Sequence, residues 1–270
     1  PRDEKWVLIV STLKGCPIGC PICDAGGQYR GKLSADEIFA QIEFLVRRRF
    51  PDGRVSIPKL KVQFARMGEP ALNDAVLEVL EDLPRRLDAP GLMPCVSTIA
   101  PHGRERFFDR LIDIKRRRYD GGRFQMQFSV HSTDEQARRE AIPARTWRLE
   151  QIAAFGDRFF EPGDRKITLN FAPSRAAPLH PSRLAGLFDP ERFLVKLTPI
   201  NPTAAATRAG ISGLIDPDDE PGCRAIASRF EALGFETILS IGALRENEIG
   251  SNCGMYVARL RSDRPGDVRA

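Results

Sequence analysis

Gly15-Cys16-Pro17-Ile18-Gly19-Cys20-Pro21-Ile22-Cys23 gathers three of the chain's six cysteines into the pattern C-x3-C-x2-C. Three thiolates on one tight loop suit three irons of a cubane [4Fe–4S] cluster, for which thiolate is the usual protein ligand. The missing fourth cysteine leaves one iron open to something other than protein. A structural zinc site wants four closed ligands, commonly paired C-x2-C or Cys/His sets. Here the next cysteine is Cys95, and no histidine lies near the loop. A disulfide framework suits a small secreted domain, not a chain of 270 residues with 42% hydrophobic content. The spacing therefore favours Cys16, Cys20 and Cys23 as metal-cluster ligands.

Outward from the loop, strand and helix patterns alternate. Residues 6–10 are an apolar, β-rich run that feeds straight into the cysteines, and residues 24–31 are Gly-rich and suited to wrapping a cofactor. Ser34-Ala35-Asp36-Glu37 opens a helix with a capping box, and Ile38, Phe39, Ile42 and Leu45 continue it at helical spacing to about Phe50. Further strands are expected at 62–65, 92–97, 124–130, 166–171, 193–200 and 236–241. Helices are expected from a cap at Asn73 to Leu83 ahead of Pro84, then at 103–118, 134–141, 146–155 and 221–233. Alternation of this kind predicts parallel β/α units. Six of them make a partial (β/α)6 TIM-type barrel, with functional loops at the C-terminal ends of the strands. We expect one domain over 1–270: a core of about 5–201, and a C-terminal helix, strand and Cys253-bearing tail of about 202–270.

The net charge of +5 is a mild bias toward anionic partners. The basic runs 47–49 and 115–118 read as solvated helix C-termini, where positive charge is favoured. No apolar run reaches the roughly 18 residues that would span a membrane. The N-terminus lacks the apolar core of a signal peptide, and reduced cysteines point to the cytoplasm. His102 and His180 sit beside prolines in loops and read as surface residues. Cys95, in mid-strand, reads as a small buried hydrophobe. Cys223 falls near a helix N-terminus, a setting that favours a lowered pKa, but its place after a long loop from the sixth strand makes it read as an incidental thiol.

Polar features recur at the expected strand ends: Gly68-Glu69, Ser97-Thr98, Ser129-Val130-His131 and Asn201. Glycine lets a ligand approach the backbone, and a carboxylate there can accept charge-assisted hydrogen bonds from an ammonium. The cysteine spacing is similar to that of radical S-adenosylmethionine (SAM) enzymes. Within that superfamily the chain resembles the RlmN/Cfr methyltransferases, which act on adenine carbons of RNA. Met67-Gly68-Glu69-Pro70-Ala71-Leu72-Asn73 is similar to that family's M-G-E-P-L-L-N. Val96-Ser97-Thr98 resembles its L-S-T. Ser129-Val130-His131, with Arg138 and Ile142-Pro143, resembles its S-L-H segment. Pro199-Ile200-Asn201-Pro202 is similar to P-W-N-P, and Ile249 to Gly254 to I-x-x-x-C-G.

The resemblance implies that Cys16, Cys20 and Cys23 hold a [4Fe–4S] cluster. It implies that Gly68, Glu69, Ser97, Ser129, Val130, His131 and Asn201 contact SAM. It implies that Cys253 takes a methyl group as S-methylcysteine and relays the one-carbon unit to an electron-poor sp² carbon, which ordinary methyl transfer cannot serve. A reductase or flavodoxin-type electron donor is implied as well. Two departures stand out. The family's resolving cysteine falls at Ile9, which can neither take a proton nor form a disulfide. The family's N-terminal accessory domain has no counterpart ahead of Pro1 in this sequence. The expected function is thus a modified one-carbon transfer through Cys253 to a small-molecule, peptide or RNA substrate. Two alternatives are direct attack of a deoxyadenosyl radical on substrate (rearrangement, oxidation or adenosylation) and a non-catalytic iron–sulfur or RNA-binding relative.

Overall fold

The computed structural model describes residues 3–177, 179–242, 247 and 252–256. Two compact units divide the chain. One comprises Pro1–Cys16, Tyr29–Ser129 and Arg145–Thr168; the other comprises Pro17–Gln28, Val130–Ala144 and Leu169–Ala270.

The first unit begins with β1 (Lys5–Val10) and a short antiparallel pair, β2 (Leu13–Lys14) with β3 (Gly31–Lys32). Helix α1 (Ala35–Arg49) starts as its capping box dictates. The Ser34 hydroxyl accepts from the Glu37 amide at 3.1 Å, and the Glu37 carboxylate accepts from the Ser34 amide at 2.8 Å. Then come β4 (Lys59–Phe64), α2 (Ala75–Arg86), β5 (Leu92–Thr98), α3 (Glu105–Arg118), β6 (Gln125–Ser129) and, after the other unit's insertion, α5 (Leu149–Phe159). That insertion carries α4 (Glu135–Ala141). Past β7 (Ile167–Phe171) the second unit continues with α6 (Pro181–Ala185), β8 (Phe193–Leu197), α7 (Ala204–Arg208), α8 (Glu220–Glu231) and β9 (Thr237–Leu239).

Seven strands hydrogen-bond in the order β1-β4-β5-β6-β7-β8-β9, which is chain order once the β2-β3 pair is set aside. The pairs β1/β4, β4/β5, β5/β6 and β8/β9 are all parallel. A doubly wound sheet reverses direction at a switch point; here there is no reversal. This is the topology of an incomplete (β/α) barrel, as the alternation predicts. Crossovers of one hand in one direction put their helices on one face of the sheet. In the first unit that face is the core: Leu8, Val10, Leu60, Val62, Phe64 and Phe128 are buried. Against Phe128 pack Phe108 and Phe155, and Trp147 packs on Phe108 with the two rings 4.3 Å apart. The opposite face of β1 and β4 carries Val7 and Ile9, both exposed, and half-buried Lys59, Lys61 and Gln63. All-parallel sheets usually have both faces covered; β5 follows that rule, whereas β1 and β4 leave their second face partly exposed.

Three local expectations need correction. Helix α2 does not stop before Pro84 but runs to Arg86. Proline lacks the N–H that would bond the Leu80 carbonyl, and the Tyr119 hydroxyl donates to that carbonyl instead. The 115–118 run does end α3, but Lys115 is buried there. Its ammonium contacts Asp164, Glu161 at 2.9 Å and the Phe159 carbonyl at 3.1 Å. Cys223 lies in the first turn of α8, yet burial pushes its thiol pKa up, and the thiol donates to the Asp216 carbonyl at 3.1 Å. Cys95 is buried, and His102 and His180 are exposed, as their contexts suggest.

Candidate active site

In the first unit, the Met67–Asn73 motif grips the chain that leads into the cysteines. The Met67 carbonyl accepts from the Thr12 and Leu13 amides at 2.9 and 3.2 Å, and its sulfur accepts from the Gly15 amide at 3.1 Å. Gly68 has φ +98°, and a Cβ there would lie 2.5 Å from the Leu13 side chain, so only glycine fits. The Asn73 amide group donates to the Thr12 and Leu33 carbonyls at 2.8 and 2.7 Å.

Glu69 is buried at the end of β4. Its Oε1 accepts from the Ala71 amide at 2.9 Å and from the Thr98 hydroxyl; its Oε2 accepts from the Ile99 amide at 2.9 Å. Burial raises its pKa to about 7 against the opposing pull of those donors. The carboxylate therefore bolts the ends of β4 and β5 together. One of its roughly four lone-pair positions is left for a further donor. Ser97 is half-buried on β5, and its hydroxyl accepts from the Gln63 side chain at 3.3 Å.

In the second unit, Ser129 aside, the residues after β6 form a second bracket. The Val130 and His131 amides both donate to the Asn170 carbonyl, at 2.8 and 3.3 Å. Val130 is buried, and His131 takes a positive φ of 65°, a conformation rare outside glycine. The His131 Nδ1 accepts from the Ala172 amide at 3.2 Å, which places the ring proton on Nε2. Burial, and then the Arg138 charge, pushes its pKa down to about 4. His131 is thus a neutral donor at physiological pH, not a cationic acid.

The second unit also holds Cys20 and Cys23. The Cys23 amide donates to the Cys20 carbonyl at 3.0 Å, closing a turn. Gly26 packs on it so closely that a Cβ would lie 2.8 Å from the Gly19 Cα. A cleft of about 430 Å³ opens against Gly19, Cys20, Cys23, Gly26, Gly27 and Arg208. None of the six cysteines is in a disulfide. Among the described residues no three His, Cys, Asp or Glu side chains are drawn into a ready metal cage. The soft thiol donors and the glycine-tight turn nonetheless match what an iron–sulfur cluster requires.

The tail bearing Cys253 is fastened to this same turn. The Asp24 amide, one residue past Cys23, donates to the Gly254 carbonyl at 2.7 Å. The Asn201 side chain donates to the Cys253 carbonyl at 2.9 Å, so one of its amide protons is committed to the tail. Gly254, at φ +80°, lies so close that a Cβ would be 2.9 Å from the Ile22 carbonyl oxygen. Two residues that sequence reasoning passed over hold the knot together. Buried Asp24 accepts from the Ala204 and Ala205 amides at 3.2 and 2.8 Å. Buried Thr203 donates to the Ile22 carbonyl at 3.2 Å and caps α7. The one available signal was Asn-Pro-Thr ahead of an alanine run, a helix start. Cys253 itself is exposed. Ile249, the first residue of the tail motif, lies outside the described residues.

No protein-family model matches the chain. It is 28% identical over 270 residues to a probable dual-specificity RNA methyltransferase RlmN of Desulfitobacterium hafniense, covering 97% of this chain and 70% of that protein. A protein of the same name from Acidothermus cellulolyticus is 30% identical over 279 residues, covering 96% and 60%. Among solved structures, a radical SAM methyltransferase from Sphaerobacter thermophilus superposes with a TM-score of 0.70 at 22% identity, over 92% of this chain and 69% of that one. SuiB of Streptococcus suis, bound to SAM, gives 0.59 at 14%, over 89% and 51%. These structural likenesses carry the fold: the α/β partial barrel of radical SAM proteins. Along nearly its whole sequence this chain is thus similar to RlmN-type RNA methyltransferases, and its fold is one that radical SAM proteins share.

Proposed function

We propose that this enzyme attaches a SAM-derived methyl or one-carbon unit to a substrate carbon through Cys253, with Cys16, Cys20 and Cys23 holding a [4Fe–4S] cluster. The supporting observation is the direct fastening of Cys253–Gly254 to the turn that carries Cys20 and Cys23. A solvent-facing thiol whose neighbours on both sides are tied down is suited to taking a methyl group at sulfur and presenting it. A bound cluster and SAM together supply one-electron chemistry that an unactivated carbon needs. Glu69 keeps one acceptor position for the SAM ammonium, with Gly68 beside it as a further SAM contact. Ser97, Ser129, Val130, the neutral Nε2–H of His131 and the rest of the Asn201 amide complete the SAM contacts, while one Asn201 proton holds the Cys253 carbonyl. Ile9 lies on the open sheet face and cannot resolve a crosslink, so release proceeds by a different route from the family's disulfide step. The electron donor is a reductase or flavodoxin-type protein, and the location is cytoplasmic. No helix among the described residues is long and apolar enough to cross a membrane.

The test is mass spectrometry of the Cys253 peptide after anaerobic reconstitution with SAM and reductant, with free 5′-deoxyadenosine measured in parallel. A methyl or methylene adduct on Cys253 is expected. Deoxyadenosine without any adduct, under conditions that methylate an RlmN control, would instead favour direct radical attack on substrate.

A further inference from the structure

The open face of the sheet in the first unit carries charge that its fold does not require. Lys5, Lys59 and Lys61 all point to the side away from the helices, since their neighbours Leu60 and Val62 are buried on the other. The Lys5 and Lys59 Cα positions are direct partners across β1 and β4, and Lys61 is the partner of Val7. Paired strands lie about 4.8 Å apart, and alternate residues about 6.6 Å apart along a strand. Like charges set opposite each other in a ladder are unfavourable. A fourth cation, Arg165, belongs to the same group: after burial, the causes that hold the Lys5 pKa down are Lys61, Lys59 and Arg165. The Arg165 Nε donates to the Gly122 carbonyl at 2.9 Å. Among the described residues, none of the four has a carboxylate within ion-pair distance.

Edge protection is the ordinary reason for lysine on a sheet rim, and it covers Lys5, because β1 is the edge strand. It does not cover Lys59 and Lys61, which sit on β4 between β1 and β5. Three lysines on one face with Arg165 near them, and no counter-ion among the described residues, are what an external anion would complete.

We propose that Lys5, Lys59, Lys61 and Arg165 form a binding site for the phosphate of a substrate, at the N-terminal end of the open sheet face. The site goes beyond the Cys253 reading and does not depend on it. A phosphorylated small molecule and an RNA backbone share this chemistry, and the experiment separates them. The cluster-loaded protein is titrated with inorganic pyrophosphate by calorimetry and with a labelled single-stranded RNA by anisotropy, alongside the double variant Lys59→Gln, Lys61→Gln. Pyrophosphate binding is expected to weaken at least about ten-fold in the variant. If RNA is the source, its salt dependence also falls by about two ions. Pyrophosphate binding lost, with RNA binding weak and unaltered, identifies a small phosphorylated substrate. Thermal melting guards against misfolding: removing like charges should leave the variant at least as stable as the parent. Wild-type protein that binds neither probe, or a folded variant that binds both as the parent does, overturns the proposal.

Discussion

Glu69→Gln should change how the stability of this protein depends on pH. The carboxyl is buried and its pKa is raised from the ordinary 4.5 to about 7, chiefly by desolvation. A raised acid pKa means that the folded state holds its proton more tightly than the unfolded state. The associated stability is therefore fully present below about pH 4.5 and is lost as pH climbs through about 7. At 1.36 kcal/mol per pH unit, the whole span corresponds to about 3 kcal/mol. Glutamine does not titrate. It carries a different, pH-independent cost, because its NH2 end must face a donor: Ala71 and Thr98 on one side, Ile99 on the other. That cost is about 1–3 kcal/mol. Urea unfolding of both proteins at several pH values separates the two effects. The variant should be the less stable near pH 5, and the gap should narrow by roughly 2–3 kcal/mol by about pH 8. Parallel stability curves would refute the assignment of a proton-holding Glu69. On the proposed contact between Glu69 and the SAM ammonium, SAM should also bind more weakly below about pH 7, by about ten-fold per unit, since that contact calls for the ionised carboxylate.

Gly254→Ala puts a Cβ 2.9 Å from the Ile22 carbonyl in a left-handed backbone, and should lift Cys253 off the cysteine turn. Cys253 adduct formation should slow about ten-fold or more, as expected for a misplaced reacting group, while iron content stays unchanged; an equal rate would detach this knot from function. Lys115→Met strands the buried Asp164 carboxylate without its cation, and should cost about 3–5 kcal/mol in thermal or denaturant unfolding. A loss under about 1 kcal/mol would mean that the pair is screened as a surface pair is.

The fold was legible because period and punctuation agree along most of the chain. The capping box at Ser34 and the alternation of strand and helix needed no tertiary information, though the strand expected at 62–65 begins earlier, at Lys59. The failures share a cause. Pro84 reads as a stop only while the Leu80 carbonyl lacks another donor, and that donor, Tyr119, comes from a different helix. Lys115 reads as solvated because its partners Glu161 and Asp164 lie more than forty residues away. Cys223 reads as a lowered thiol because a helix start is visible in sequence, whereas its burial is not.

By itself, the sequence determined the chemistry on offer: three thiols at cluster spacing, a carboxylate after Gly68, a lone Cys253 ahead of Gly254, and isoleucine at position 9. Residue types and short spacings are local properties, so they survive without a fold. What tertiary structure alone decided is which backbones meet. Asp24 joins the cysteine turn to both the 204–205 amides and Gly254. Asn201 reaches across 52 positions to the Cys253 carbonyl. Lys5 comes opposite Lys59. Hydrogen bonds and charge act over a few ångströms of space and are indifferent to distance along the chain. The position of Cys253 at the cysteine turn and the cationic patch on the open sheet face therefore exist only once the strands are in register.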